Sequence, residues 1–171
     1  MKRLGSSAVE VSRLGLGTMT WGRDTDEHEA RDILAAYYEA GGRLVDTADV
    51  YADGAAETLV GDLLREFPEV LVSSKAGTVR GARRRDASRG HLLATLDASL
   101  RRLGRSHIDV WHVHAWDPHT PLEETLSAID SAIASGKVRY AGVSNFAGWQ
   151  AATAACGSRA IVSSQVEYSL L

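Results

Sequence analysis

Short apolar runs closed by polar residues alternate with stretches of helical spacing along the whole chain, and this alternation constrains the fold more than any single motif. The runs fall at 14–17, 43–46, 70–75, 108–114, 138–143 and 161–166. Between the first two, a cap at Asp24-Thr25-Asp26-Glu27 opens a helical face of Ala30, Ile33, Leu34 and Tyr37, which stops at Gly41-Gly42. Residues 58–64 offer Leu59, Val60, Leu63 and Leu64 as the next face. Ser88 caps a longer helix carrying Leu92, Leu96, Leu100 and Leu103, with Gly104 closing it, and Pro121 begins one through Leu126, Ile129 and Ile133 to Gly136. The stretch 146–155 predicts a fifth helix. Strands that alternate with helices at this spacing form parallel sheets with right-handed crossovers. A short hairpin about Gly5-Ser6-Ser7 precedes them. On this pattern residues 1–171 form one continuous α/β unit, and two architectures stay open: a doubly wound sheet, or part of an eight-stranded β/α barrel.

Composition narrows the function classes. The chain has 171 residues, 44% hydrophobic and 24% charged, enough to build a buried core. Its 19 Lys and Arg against 22 Asp and Glu give a formal net charge of −3. Nucleic acids and anionic membranes select clustered basic residues, so neither is expected as a partner; the densest basic stretch, 80–89, reads as one loop. The single cysteine, Cys156, excludes an internal disulfide framework and reads as a small buried or half-buried side chain. With no apolar run of about 18 residues and no signal core after Met1, a cytoplasmic location is expected.

In parallel α/β sheets ligands bind at the carboxyl ends of the strands, so the closing residues carry the functional information. Here those residues are Thr18, Asp46, Lys75, His114, Ser144 with Asn145, and Gln165. Taken singly, Ser144 or Gln165 reads equally well as a solvated strand end. A carboxylate, an amine and an imidazole on three successive strands make a candidate acid/base cluster. Gly15-Leu16-Gly17-Thr18-Met19-Thr20 lacks the third glycine and the helix start of a dinucleotide fingerprint. His112-Val113-His114 resembles a metal-binding pair, but no second pair or spaced carboxylate set accompanies it, and no metal is expected. His28, His91 and His107 read as solvated.

In order and from end to end, the chain resembles the aldo-keto reductases. The resemblance rests on Leu14-Gly15-Leu16-Gly17-Thr18-Met19, on Val45-Asp46-Thr47-Ala48-Asp49-Val50-Tyr51 with Glu57 and Gly61, and on Ser73-Ser74-Lys75. It continues through Ile108-Asp109-Val110, His114-Ala115-Trp116-Asp117-Pro118, Gly142-Val143-Ser144-Asn145-Phe146 and Gln165-Val166-Glu167-Tyr168. The branch with bacterial stress proteins and potassium-channel β subunits is the most similar. The resemblance implies a (β/α)8 TIM barrel, of which about six β/α units are present, with an N-terminal hairpin plugging its bottom. It implies reduction of a small carbonyl substrate by NADPH, with Tyr51 as general acid, Lys75 favouring the phenolate, Asp46 pairing with Lys75, and His114 positioning the carbonyl oxygen. Gly17, Thr18, Met19, Asp46, Ser144, Asn145 and Gln165 are the implied cofactor contacts. Trp21 and Trp116 are candidate walls of the substrate pocket beside Tyr51 and His114, with anchoring of the barrel rim as the alternative. Tyr37 and Tyr38 fall within a helix and read as packing residues.

The family pattern continues past the sixth strand, whereas this sequence ends at Leu170-Leu171. Three readings follow: a part of a longer enzyme, a short form completed by a partner or homo-oligomer through the open sheet edge, or a non-catalytic binding or scaffold protein.

Overall fold

The computed structural model describes residues 1–79 and 84–169. An antiparallel pair, β1 (Lys2–Arg3) and β2 (Glu10–Val11), opens the chain as the expected hairpin. There follow β3 (Leu16–Gly17), α1 (Glu27–Glu39), β4 (Leu44–Asp46), α2 (Ala55–Leu63) and β5 (Leu71–Ala76). A small antiparallel ladder of β6 (Thr78–Val79) and β7 (Arg84–Arg85) leads to α3 (Arg89–Leu103), β8 (Ile108–Val113), α4 (Leu122–Ala134), β9 (Val138–Ser144), α5 (Gly148–Gly157) and β10 (Ile161–Gln165).

The main sheet has the order β10-β9-β8-β5-β4-β3, with every neighbouring pair parallel. This strand order follows the sequence and selects the barrel-type curl over the doubly wound sheet, in which the order reverses part-way. Among the described residues β3 and β10 are the two edges of this sheet.

Local chemistry accounts for the helix boundaries. Asp26 caps α1 by accepting from the Glu29 amide at 2.9 Å, and Ser88 caps α3, which Gly104 ends in the left-handed conformation. The helices and the sheet's outer face enclose a core that includes Leu34, Val60, Leu63, Leu92, Leu96 and Ile129. On the inner face a cavity of about 360 Å³ is lined by Leu4 of the hairpin, Leu44, Asp46, Ser73, His112 and Ser163, among others. The hairpin therefore reaches the inside of the curl, as the bottom plug requires.

Several local expectations change. The basic stretch is not one loop: Arg84–Arg85 pairs with Thr78–Val79 and Arg89 begins α3, while 80–83 lie outside the described residues, as do 170–171. Cys156 is exposed, because α5 buries only Ala154 against the core. Nor is His107 solvated: it is partly covered and lies 3.6 Å from Asp109, a buried strand carboxylate that also pairs with Arg139 at 2.8 Å. The Tyr37 hydroxyl does more than pack, taking the Leu44 amide at 3.1 Å and standing 2.9 Å from Ser12 Oγ.

Candidate active site at the strand ends

Asp46 closes β4 and Lys75 lies next to the end of β5, so the pairing of these neighbouring strands brings the two together. Lys75 is 2% exposed, a placement costly for an ammonium unless each of its hydrogens finds an acceptor. Here all three do. Nζ donates to Asp46 Oδ2 at 2.6 Å, to the Thr47 carbonyl at 2.8 Å and to the Tyr51 hydroxyl at 3.3 Å. The Tyr51 oxygen thus accepts from the lysine and keeps its own hydrogen for a further acceptor.

Tyr51 is held by an unusual turn. Ala52 and Asp53 adopt positive φ of 44° and 59°, and Gly54 follows at 88° before α2 begins. Left-handed backbone is unfavourable for a residue with a Cβ, so the surrounding packing maintains this turn. It reverses the chain immediately after Tyr51 and leaves the ring half-buried beside Lys75.

His114 follows β8, its amide donating to the Ala76 carbonyl at 2.8 Å. Its ring meets that of Tyr51 edge to face, with centroids 6.1 Å apart. Burial, then the nearby Lys75 charge, push its pKa down to about 4, so the imidazole is neutral near pH 7. Its Nδ1 is buried and has no hydrogen-bond partner. A neutral imidazole carries one N–H, and this ring stands beside the Tyr51 phenol as a group able to donate to an oxygen placed there.

The remaining expected residues divide. Ser144 is buried at the end of β9, and Asn145, at φ 55°, donates its side-chain amide to the His114 carbonyl at 3.0 Å. The Asn145 amide donates to the Gln165 carbonyl at 3.0 Å, which joins the ends of β9 and β10. Gly17 and Gln165, on the two edge strands, line the same inner cavity as Asp46. Met19 is exposed, whereas Thr18 is fully buried and donates to the Asp46 carbonyl at 3.1 Å, so its side chain braces β4. Trp21 is 2% exposed and belongs to the core, which corrects its placement as a pocket wall: it anchors the rim. Trp116 is half-buried and packs edge-on against Phe146 and Trp149, at 5.4 and 5.6 Å. This aromatic cluster follows β8 and β9 at the same end of the sheet as His114.

Comparison with known proteins now bears on this geometry. Residues 13–171 match the family model described as the aldo/keto reductase family. The chain belongs to the aldo-keto reductase family. A 6-dehydroglucose reductase of Agrobacterium fabrum is 34% identical over 187 residues, covering 100% of this chain and 63% of that protein. A probable voltage-gated potassium channel subunit beta of Oryza sativa subsp. japonica is 36% identical, covering 87% and 47%. The solved aldo-keto reductase of Bacillus halodurans in its holo form superposes with a TM-score of 0.90 at 32% identity, over 99% of this chain and 58% of that one. The chain thus spans about half to two thirds of these proteins' lengths, and its six parallel strands are the corresponding part of the aldo-keto reductase barrel.

The residues present fit part of a nicotinamide cofactor site. A Cβ built on Gly17 would meet nothing within 4 Å, so the backbone there borders open space, and at the opposite edge of the sheet the buried Ser144 hydroxyl and exposed Gln165 close β9 and β10. Two residues outside the sequence-derived set also matter. Glu57 is fully buried and accepts from Ser74 Oγ at 2.5 Å, directly beside Lys75. His112 is enclosed on the inner face next to Ser73. Strand alternation assigns each residue a face, but not which partner from a distant strand will meet it there.

Proposed function

We propose that the protein reduces aldehydes and ketones to alcohols with NADPH, Tyr51 serving as general acid. The observation that carries this reading is the lysine whose three hydrogens are divided among Asp46, Thr47 and Tyr51. When bound, NADPH supplies the hydride. Tyr51 gives its hydroxyl proton to the carbonyl oxygen as negative charge develops there. The Lys75 ammonium, 3.3 Å away, stabilises the phenolate that remains, and Asp46 fixes the direction of that ammonium. Neutral His114 donates to the same oxygen and orients it. Ser144, Asn145 and Gln165 would hold the nicotinamide carboxamide, with Gly17 and Met19 bordering it and Thr18 bracing β4 from behind. Trp116, packed against Phe146, walls the substrate side.

NADPH oxidation with a panel of small aldehydes tests this reading, with Tyr51→Phe as the control. Turnover that depends on Tyr51 is expected.

A second reading draws on the potassium-channel relative and on the two open edges of the sheet: the chain acts as a binding or scaffold protein, or completes its barrel with a second copy. Among the described residues no helix is long and apolar enough to cross a membrane, and a cytoplasmic site of action fits a soluble cofactor.

A further inference from the structure

Asp46 uses only one carboxylate oxygen on Lys75. The other, Oδ1, accepts from Ser73 Oγ at 2.7 Å, and from there a string of hydrogen bonds crosses the inner face of the sheet. Ser73 Oγ lies 3.3 Å from His112 Nδ1, and His112 Nε2 lies 2.9 Å from Ser163 Oγ. The string links β4, β5, β8 and β10 and passes directly over β9, where Gly142 is the residue in register with both His112 and Ser163. A Cβ on Gly142 would sit 2.3 Å from Ser163 Oγ and 2.5 Å from His112 Cδ2, so any other residue there would break the link.

The chemistry of the groups sets the direction of every hydrogen. A carboxylate paired with an ammonium only accepts, so the single Ser73 hydroxyl hydrogen points to Asp46. Ser73 Oγ can then only accept from His112, which requires the proton on Nδ1. Burial holds the His112 pKa down at about 4, so the ring is neutral, Nε2 carries no proton, and Ser163 must donate to it. All donors along the string therefore face the carboxylate.

Building on the reductase reading, we infer that Ser73, His112 and Ser163 are positioning residues that orient Asp46 from the inner face of the barrel and so keep its other oxygen on Lys75. Neither His112 nitrogen is then free for a metal. In metal sites, hydrogen bonds that orient a ligand from behind change activity about 10–100-fold when removed, and an effect of the lower order is expected for a carboxylate that orients a lysine.

The test uses imidazole nitrogen NMR on the cofactor-free protein together with kinetics. At pH 7 His112 should appear as the neutral Nδ1–H tautomer, and Ser73→Ala should shift the ring toward Nε2–H. In the reductase assay His112→Leu should lower kcat about tenfold with little change in the KM for NADPH. His112→Asn, which keeps a donor near the Nδ1 position, should recover most of that loss. An Nε2–H or charged ring in the unsubstituted protein, a tautomer indifferent to Ser73→Ala, or equal kcat for the Leu and Asn variants would overturn the inference. If the unsubstituted protein reduces no carbonyl, the functional reading fails, while the tautomer measurements still decide this one.

Discussion

Arg102 of α3 closes on Glu57 of α2, with Nε and Nη2 at 2.7 and 2.6 Å from the same carboxylate oxygen. The other oxygen of Glu57 takes the Ser74 hydroxyl, so one fully buried carboxylate joins two helices to the strand that carries Lys75. Removing one partner of a buried pair leaves the other charge uncompensated. Glu57→Ala is expected to lower unfolding stability by about 3 kcal/mol, read from a urea midpoint at unchanged m-value.

The two inner histidines make stability depend on pH. Their folded-state pKa values, about 4, lie below the 6.5 of a free imidazole, chiefly because burial disfavours the charged ring. The unfolded chain therefore binds protons that the folded chain refuses. The full stability is present above about pH 6.5 and declines as pH falls toward 4, by on the order of 3 kcal/mol for His112 alone. Denaturation midpoints measured from pH 7.5 to 4.5 should fall across this window, and His112→Leu should flatten the fall.

The left-handed turn after Tyr51 gives a backbone prediction. Ala52 has a Cβ at φ 44°, where glycine carries no steric penalty. Ala52→Gly is expected to stabilise the fold by roughly 0.5–1 kcal/mol, the steric relief exceeding the added freedom of the unfolded chain. A thermal melt checks this.

The open edges at β3 and β10 bear on cofactor affinity. Gly17 and Gln165 sit on those edges and border one cavity, with no further described strand between them. NADPH is expected to titrate these 171 residues, followed by fluorescence, with at least tenfold weaker affinity than a longer relative such as the Bacillus halodurans aldo-keto reductase, of which this chain covers 58%.

Much of the site was legible in the sequence because strand ends and loops of a parallel sheet face one side. Asp46, Lys75 and His114 could be placed on that principle, whereas Tyr51, in the loop that follows β4, was singled out by the family resemblance. Other features depended on distance in sequence. His112 meets Ser73 and Ser163 from 39 and 51 residues away, so the sequence offered no role for it beyond a His-x-His spacing that lacked the companions of a metal site. Trp21 follows β3 just as Trp116 follows β8, yet only packing separates the buried anchor from the half-buried aromatic. Cys156 lies on a helix that buries a single residue, which the hydrophobic composition of α5 concealed.

The claim that organises the whole site is that Tyr51 protonates the substrate oxygen under the control of Lys75. The direct measurement is the rate of NADPH-dependent aldehyde reduction for the protein and its Tyr51→Phe variant, with cofactor binding monitored in parallel. A rate lowered by about 10²–10⁴-fold with NADPH affinity retained is the predicted result. An undiminished rate in Tyr51→Phe would contradict it.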